Sequence, residues 1–159
     1  MLRIGQSTDI HPLQAGNKMI LGGILIENDF GPVGHSDADV LTHAIAEAML
    51  GALALGDLGK HFPDTDPAYK GISSLLILAE VVKLIEGLGW RLVNVDSLVL
   101  LEAPKLASYN QAIRTSLASF LHVSIDQVSV KATRGEKLGF IGRGEGIVAQ
   151  AVVLLEKTT

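Results

Sequence analysis

The sequence predicts an α+β fold: a two-layer sandwich in which helices cover one face of a mixed four-stranded sheet. Three observations predict it. Short β-rich runs alternate with longer runs of helical period. Each helical run carries a single apolar stripe, so each helix can cover only one sheet face. The 159 residues suit one domain, assigned to residues 1–159, and 48% of them are hydrophobic with only 4% aromatic. That is more small aliphatic surface than a lone domain needs, and it points to a buried interface between subunits.

Residues 2–9 read as the opening strand. Lys18–Glu27, "KMILGGILIE", reads as two short strands around Gly22-Gly23. Gly31, Pro32 and Gly34 mark a loop. A helix should begin near Ser36, because Ser36-x-x-Asp39 has the form of a capping box. Leu41, Ile45, Ala48, Met49 and Ala52 form its apolar stripe, and Asp39, His43 and Glu47 fall on the opposite face. Residues 59–71 are turn-rich and polar. Ser74–Leu88 is a second helix with Leu78, Val82 and Ile85 inward, ended by Gly89. Trp90–Leu101 is a long strand. "APKLASYNQAIRTSLASFL" gives a third helix with Ile113, Leu117 and Phe120 in register. Gln127–Thr133 is a strand, residues 134–146 a glycine-rich loop, and Ile147–Leu155 the closing strand.

Bulk properties exclude several classes. A net charge of -4 does not suit non-specific nucleic-acid binding. The absence of cysteine removes disulfides and thiolate metal sites and suits a cytoplasmic protein. The first residues carry Asp9 and His11 where a signal peptide needs an apolar run, and no stretch is long and apolar enough to span a membrane.

Three of the five histidines lie beside acids, in "DIH", "HSDAD" and "DVLTH". Asp9 and His11 sit two apart on a strand and share a face. Such a pair is a hydrogen-bonded couple, a surface accident, or two ligands of a metal. A catalytic metal usually takes three protein ligands, and two histidines with a carboxylate suit zinc. Asp9, His11 and one further histidine could supply them; equally, Asp39, His43 and Glu47 could be a solvated helix face. His122 reads as structural or surface, and His61 is ambiguous. "GFIGRGEG" has glycines that let backbone N–H groups approach an anion, but it precedes a strand where a dinucleotide fingerprint needs a helix, so it reads first as a structural turn. Asp64–Asp66 reads as turn chemistry before Pro67.

Together, "RIGQSTDIH", "GHSDADVLTHAIAEAMLGALALGDLGKHFPDTDP", "NVDSLVLLEAPKL" and "VKATRGEKLGFIGRGEGI", in this order, closely resemble the 2-C-methyl-D-erythritol 2,4-cyclodiphosphate synthase family over essentially the whole chain. The resemblance implies an enzyme of non-mevalonate isoprenoid synthesis. Its substrate would be 4-diphosphocytidyl-2-C-methyl-D-erythritol 2-phosphate, with CMP the leaving group. It implies a bacterial cytoplasmic homotrimer with active sites between subunits, no nucleic-acid or membrane partner, and two divalent ions, one zinc-like and one magnesium- or manganese-like.

Carried over by position, the resemblance makes Asp9, His11 and His43 the zinc-like ligands and Glu136 the magnesium-like ligand. His35 and Ser36 would touch substrate, with Asp57, Gly59 and Asp64 nearby. Leu101, Pro104, Lys105, Leu106 and Ala107 would wrap the cytosine; Ala132, Thr133 and Arg134 would lie along the phosphates. His35 and Thr133 would support the transition state. Phe140 and Arg143 match the lining of a trimer cavity that takes an isoprenoid diphosphate in some members.

The chain departs from the family pattern in three places. "QST" precedes Asp9 where a glycine and an aromatic residue are usual. Arg134 replaces a threonine and would either pair with a phosphate oxygen, the favoured reading, or crowd the site. Gln150 replaces a glutamate beside Arg143. Two rival readings compete: a zinc hydrolase using the same tripod to activate water, against which a cytidine pocket would count, and a non-catalytic trimer sensing isoprenoid diphosphates.

Overall fold

The computed structural model describes residues 1–63 and 65–158, with the side chain of residue 68 left out. In chain order the elements are β1 (Leu2–Ala15), β2 (Met19–Leu21), β3 (Ile24–Ile26), β4 (Phe30–Pro32), α1 (Val40–Ala52), α2 (Leu58–His61), α3 (Ser74–Gly87), β5 (Trp90–Leu100), α4 (Asn110–Leu121), β6 (Val128–Thr133), α5 (Gly139–Gly142) and β7 (Gly146–Lys157). The α+β class stands, but the main sheet has five strands where four were expected, in the order β4-β1-β7-β5-β6. The added strand is β4, which pairs antiparallel with the end of β1. Its Gly31 and Pro32 read as a loop; proline is tolerated there because β4 lies on the sheet edge. β7 pairs antiparallel with both β1 and β5, while β5 and β6 are parallel and joined through α4, making the sheet mixed.

β2 and β3 form a separate hairpin. Its turn is Gly22-Gly23, with φ of 57° and 76°. Two successive left-handed residues suit glycine and make the tight turn.

α1 packs on β1 and β7, α3 on α1 and β5, and α4 on β6 and α3. The approach of α1 to β1 is unusually close: a Cβ on Gly5 would lie 1.8 Å from the Ala48 carbonyl oxygen. Only glycine fits, and α1 is thereby laid antiparallel along β1. Gly5 faces Ala48 and Ala52, Ser7 faces Glu47, and Asp9 faces His43. Leu41, Ile45, Met49 and Leu50 of α1 and Leu78 and Ile85 of α3 are fully buried between the layers. Among the described residues no helix covers the opposite sheet face. There Leu2, Ile4, Ile10 and Val152 remain about half to three-quarters exposed, from 47% to 72%.

α1 starts later than the capping-box spacing implies. Its N-cap is Asp39. The carboxyl is fully buried and accepts from the Thr42 N–H at 3.0 Å, the Thr42 hydroxyl at 2.7 Å and the Gly23 N–H at 2.8 Å. Burial pushes its pKa up despite these bonds. Ser36 lies in the preceding bend, which frees its hydroxyl for the site. α4 likewise begins at Asn110, so residues 103–109 form a loop rather than the first turns of the helix. Among the described residues no helix is long and apolar enough to cross a membrane.

Candidate active site

Because β1 alternates faces, Ser7, Asp9 and His11 point toward α1, and Thr8 and Ile10 point away. His43 comes from the first turns of α1. His11 Nε2 and His43 Nδ1 both lie 3.1 Å from Asp9 Oδ2. The ligand atoms of these three residues lie within 4.8 Å of one another, the arrangement of a metal site.

The other ring nitrogens decide whether a cation fits. His11 Nδ1 is 2.6 Å from the Val33 carbonyl oxygen, which can only accept. Nδ1 therefore carries the proton, and Nε2 turns a lone pair toward Asp9. His43 Nε2 is 2.8 Å from Ser74 Oγ and 3.1 Å from Ser36 Oγ. Ser74 donates its own hydroxyl proton to Asp37, so it accepts from His43 Nε2–H, and Nδ1 turns its lone pair toward Asp9 as well. With both rings neutral, two imidazole lone pairs and a carboxylate oxygen thus converge with no proton between them. A divalent cation satisfies that arrangement, and each ring nitrogen on the far side is held by a partner of the kind that orients metal-bound histidine.

Where no ion sits, protons between the rings and the carboxylate take its part. Burial alone would raise the Asp9 carboxyl, but hydrogen bonds and charge from His11 and His43 outweigh it and hold the group well below the usual carboxylate range. Conversely, the bond to Asp9 raises His11 above its ordinary 6.5, against a smaller opposing effect of burial.

The tripod opens into a cavity of about 400 Å³ that also holds His35, Ser36, Glu47, Gly59, Phe62 and Tyr69. The Phe62 and Tyr69 rings meet edge to face at 5.5 Å and make its apolar wall. Asp57 lies beside it as the N-cap of α2, accepting from the Lys60 N–H at 2.9 Å. Asp64 lies outside the described residues. The expected alternative of a solvated Asp39–His43–Glu47 face does not hold, since Asp39 is buried and Glu47 accepts from Ser7 on β1 and from the Leu58 N–H at 3.2 Å.

A second cavity, about 350 Å³, is lined by Leu101, Pro104, Lys105, Leu106, Ala107, Ala132, Thr133, Arg134 and Glu136. Every one of these was singled out in the sequence. It belongs to the β5–β6 end of the sheet, and the tripod to β1. Two strands stand between β1 and β6, a separation of about 14 Å at the usual strand spacing. Neither cavity is lined by residues of both groups.

Arg134 does not stand free for a phosphate: its Nη2 donates to Glu102 Oε1 at 3.3 Å. Arg143 is held in a fork by Glu145, at 2.8 and 3.0 Å, and Phe140 beside it is partly exposed. His61 contacts the Leu55 carbonyl oxygen, and His122 pairs with Glu86 on the surface. Sequence reasoning missed Asp37, Ser74, Glu47, Glu102 and the Val33 carbonyl. The signal for Asp37 was its place in "HSDAD", and that for Glu47 its helical spacing from His43; nothing local marks the rest.

Comparison with known proteins agrees with this geometry. Residues 2–156 match the YgbB family model. The chain is 58% identical over 156 residues to the 2-C-methyl-D-erythritol 2,4-cyclodiphosphate synthase of Chloroherpeton thalassium, covering 98% of this chain and 99% of that one. It superposes on the bifunctional IspDF of Campylobacter jejuni with a TM-score of 0.95 at 36% identity, covering 99% of this chain and 42% of that larger one. It matches the CDP complex of Plasmodium falciparum IspF with a TM-score of 0.88 at 32% identity, covering 99% and 97%. Family model, relatives and folds agree: the chain belongs to the YgbB family of 2-C-methyl-D-erythritol 2,4-cyclodiphosphate synthases.

Proposed function

We propose that the chain converts 4-diphosphocytidyl-2-C-methyl-D-erythritol 2-phosphate into 2-C-methyl-D-erythritol 2,4-cyclodiphosphate and CMP. One observation carries the reading: the lone-pair tripod and the nine-residue cavity are two half-sites on well-separated strands of one sheet. An oxygen of the 2-phosphate forms a bond to the β-phosphorus, and the bond from that phosphorus to the bridging oxygen of the CMP moiety breaks. The nucleophile is already an anion, so no strong general base is required. The difficulty is repulsion between phosphates, and both reacting groups belong to one substrate, so positioning supplies much of the rate.

Asp9, His11 and His43 would hold a zinc-like ion and Glu136 a magnesium- or manganese-like one. Such ions, when bound, neutralise phosphate charge and stabilise the transferring phosphoryl group. The Leu101 and Pro104–Ala107 segments would close on the cytosine, and Ala132 and Thr133 on the phosphates. His35, Ser36, Asp57, Gly59 and Asp64 would hold the erythritol end, with His35 and Thr133 nearest the reacting atoms.

Half-sites this far apart need a second copy to meet. The exposed Ile4, Ile10 and Val152 on the helix-free sheet face support a homotrimer that buries that face and joins one subunit's tripod to its neighbour's nucleotide cavity. In that trimer Phe140 and Arg143 would border a cavity able to take an isoprenoid diphosphate, which must first displace Glu145 from Arg143. A bacterial cytoplasmic setting fits the cysteine-free composition.

The test is incubation with the cytidylated substrate and magnesium, followed by phosphorus NMR. The cyclic diphosphate and one equivalent of CMP are expected. A linear hydrolysis product would instead establish the rival zinc hydrolase, and no turnover would leave only a binding protein.

A further inference from the structure

We propose that Glu102 is a positioning residue that sets nucleotide affinity by competing with the substrate diphosphate for Arg134. This rests on the functional reading above. Arg134 borders the second cavity with Thr133 and Glu136. Among the described residues it is held by Glu102, through one Nη2–Oε1 contact at 3.3 Å. The pair is unequal: the Arg134 side chain is 49% exposed and that of Glu102 only 15%. A well-formed guanidinium–carboxylate fork makes two parallel bonds of about 2.7–2.9 Å. Arg143 and Glu145 come close to that in this same chain. Arg134 is therefore tethered by one long contact, with most of its donor fork uncommitted.

The other oxygen of Glu102 has different work. Oε2 accepts from the Gly135 N–H at 2.9 Å. That bond fastens the turn carrying Glu136 and Lys137, whose φ values of 50° and 63° lie in the left-handed region that is costly for residues with a Cβ. Leu138 N–H closes the turn on the Gly135 carbonyl at 2.8 Å. Gly135 has no room to shift, because a Cβ there would lie 2.4 Å from Gly142 N. One carboxylate thus anchors the loop with one oxygen and restrains a cation with the other.

A diphosphate in this cavity offers the guanidinium two short charge-assisted bonds in place of one long one. It also meets the negative charge of Glu102 at close range. Binding therefore exchanges partners: Arg134 leaves Glu102 for a phosphate oxygen, and Glu102 draws it back when the nucleotide departs. The carboxylate lowers affinity and hastens release.

The test is calorimetric titration with CDP in the presence of magnesium, with cytidine as the phosphate-free control. Glu102→Gln keeps an amide oxygen for the Gly135 N–H and removes the charge. CDP should bind about 2- to 5-fold more tightly, the size of a partly exposed ion pair. Cytidine affinity should not change, and the gain should shrink at high salt. Arg134→Thr should weaken CDP but not cytidine, and in that background Glu102→Gln should lose its effect. Native binding of CDP with unchanged or weakened affinity in Glu102→Gln overturns the role of Glu102 alone. So does a shift equal for CDP and cytidine, which a purely structural role would give. If Glu102→Gln does not fold, Arg134→Thr decides: equal CDP affinity overturns the proposal. A native chain that binds no CDP overturns the functional reading itself.

Discussion

The orientation of His43 depends on a hydroxyl 31 residues away. Ser74 accepts from His43 Nε2 and donates to Asp37, which also takes the Ser74 N–H at 3.0 Å. Ser74→Ala should leave the fold intact but weaken metal binding about 10- to 100-fold, read by competition with a chromogenic chelator. Asp39→Ala should act on stability instead. It strips three donors of their acceptor in a buried site and should cost about 2–3 kcal/mol in denaturant melts with no direct effect on the metal.

Acid and base act on the Asp9–His11 couple in opposite directions. Asp9 is depressed from 3.8, so its contribution to the metal-free fold is present above 3.8 and is lost as pH falls through the depressed value. His11 is raised from 6.5, so its contribution is present below 6.5 and is lost as pH rises through the raised value. The metal-free protein should gain most from the couple between 3.8 and 6.5. A bound ion requires neutral His11, so the rise in Tm on adding zinc should be small at about pH 5.5 and large at about pH 8. A zinc-induced rise that is flat with pH would argue against His11 as a ligand.

Placement of the elements turns on Gly5. A Cβ there would strike the backbone of α1, so Gly5→Val should lift α1 from β1. Overpacking of this kind costs about 1–3 kcal/mol. Because α1 and β1 carry the ligands between them, zinc affinity should fall together with Tm, and the two are measured on the same variant. Periodicity made β1, α1 and α3 legible in the sequence, and placed Asp9 and His11 on one face with His43 on a helix. It could not reveal β4, because glycine and proline at an edge strand look like a turn. It placed the start of α1 at Ser36, since a serine three residues before an acid has the form of a cap whether or not the chain uses it. Ser74 also reads as the start of a helix, and only the tertiary fold brings its hydroxyl to His43. Glu102 was invisible for the same reason: its partners Arg134 and Gly135 lie more than thirty residues on.

Across the whole molecule, apolar excess was visible in composition, but which surface carried it was not. Part of it lies on the helix-free sheet face, at Leu2, Ile4, Ile10 and Val152. Ile4→Glu should convert the proposed trimer to monomers in sedimentation experiments. The monomer should still bind zinc, because the tripod lies on the other face, yet should lose cyclisation, because no neighbour completes the site. A fully active monomer would show that one chain suffices.

The distance between the tripod and the nucleotide cavity carries a genetic consequence. In the proposed trimer, lesions in His43 and in Glu136 damage different halves of a shared centre, so two inactive proteins, one His43→Ala and the other Glu136→Ala, should revive each other when unfolded together and reassembled as mixed rings. Some junctions in such rings unite two undamaged halves, and a strain expressing both alleles should grow where neither alone supports it.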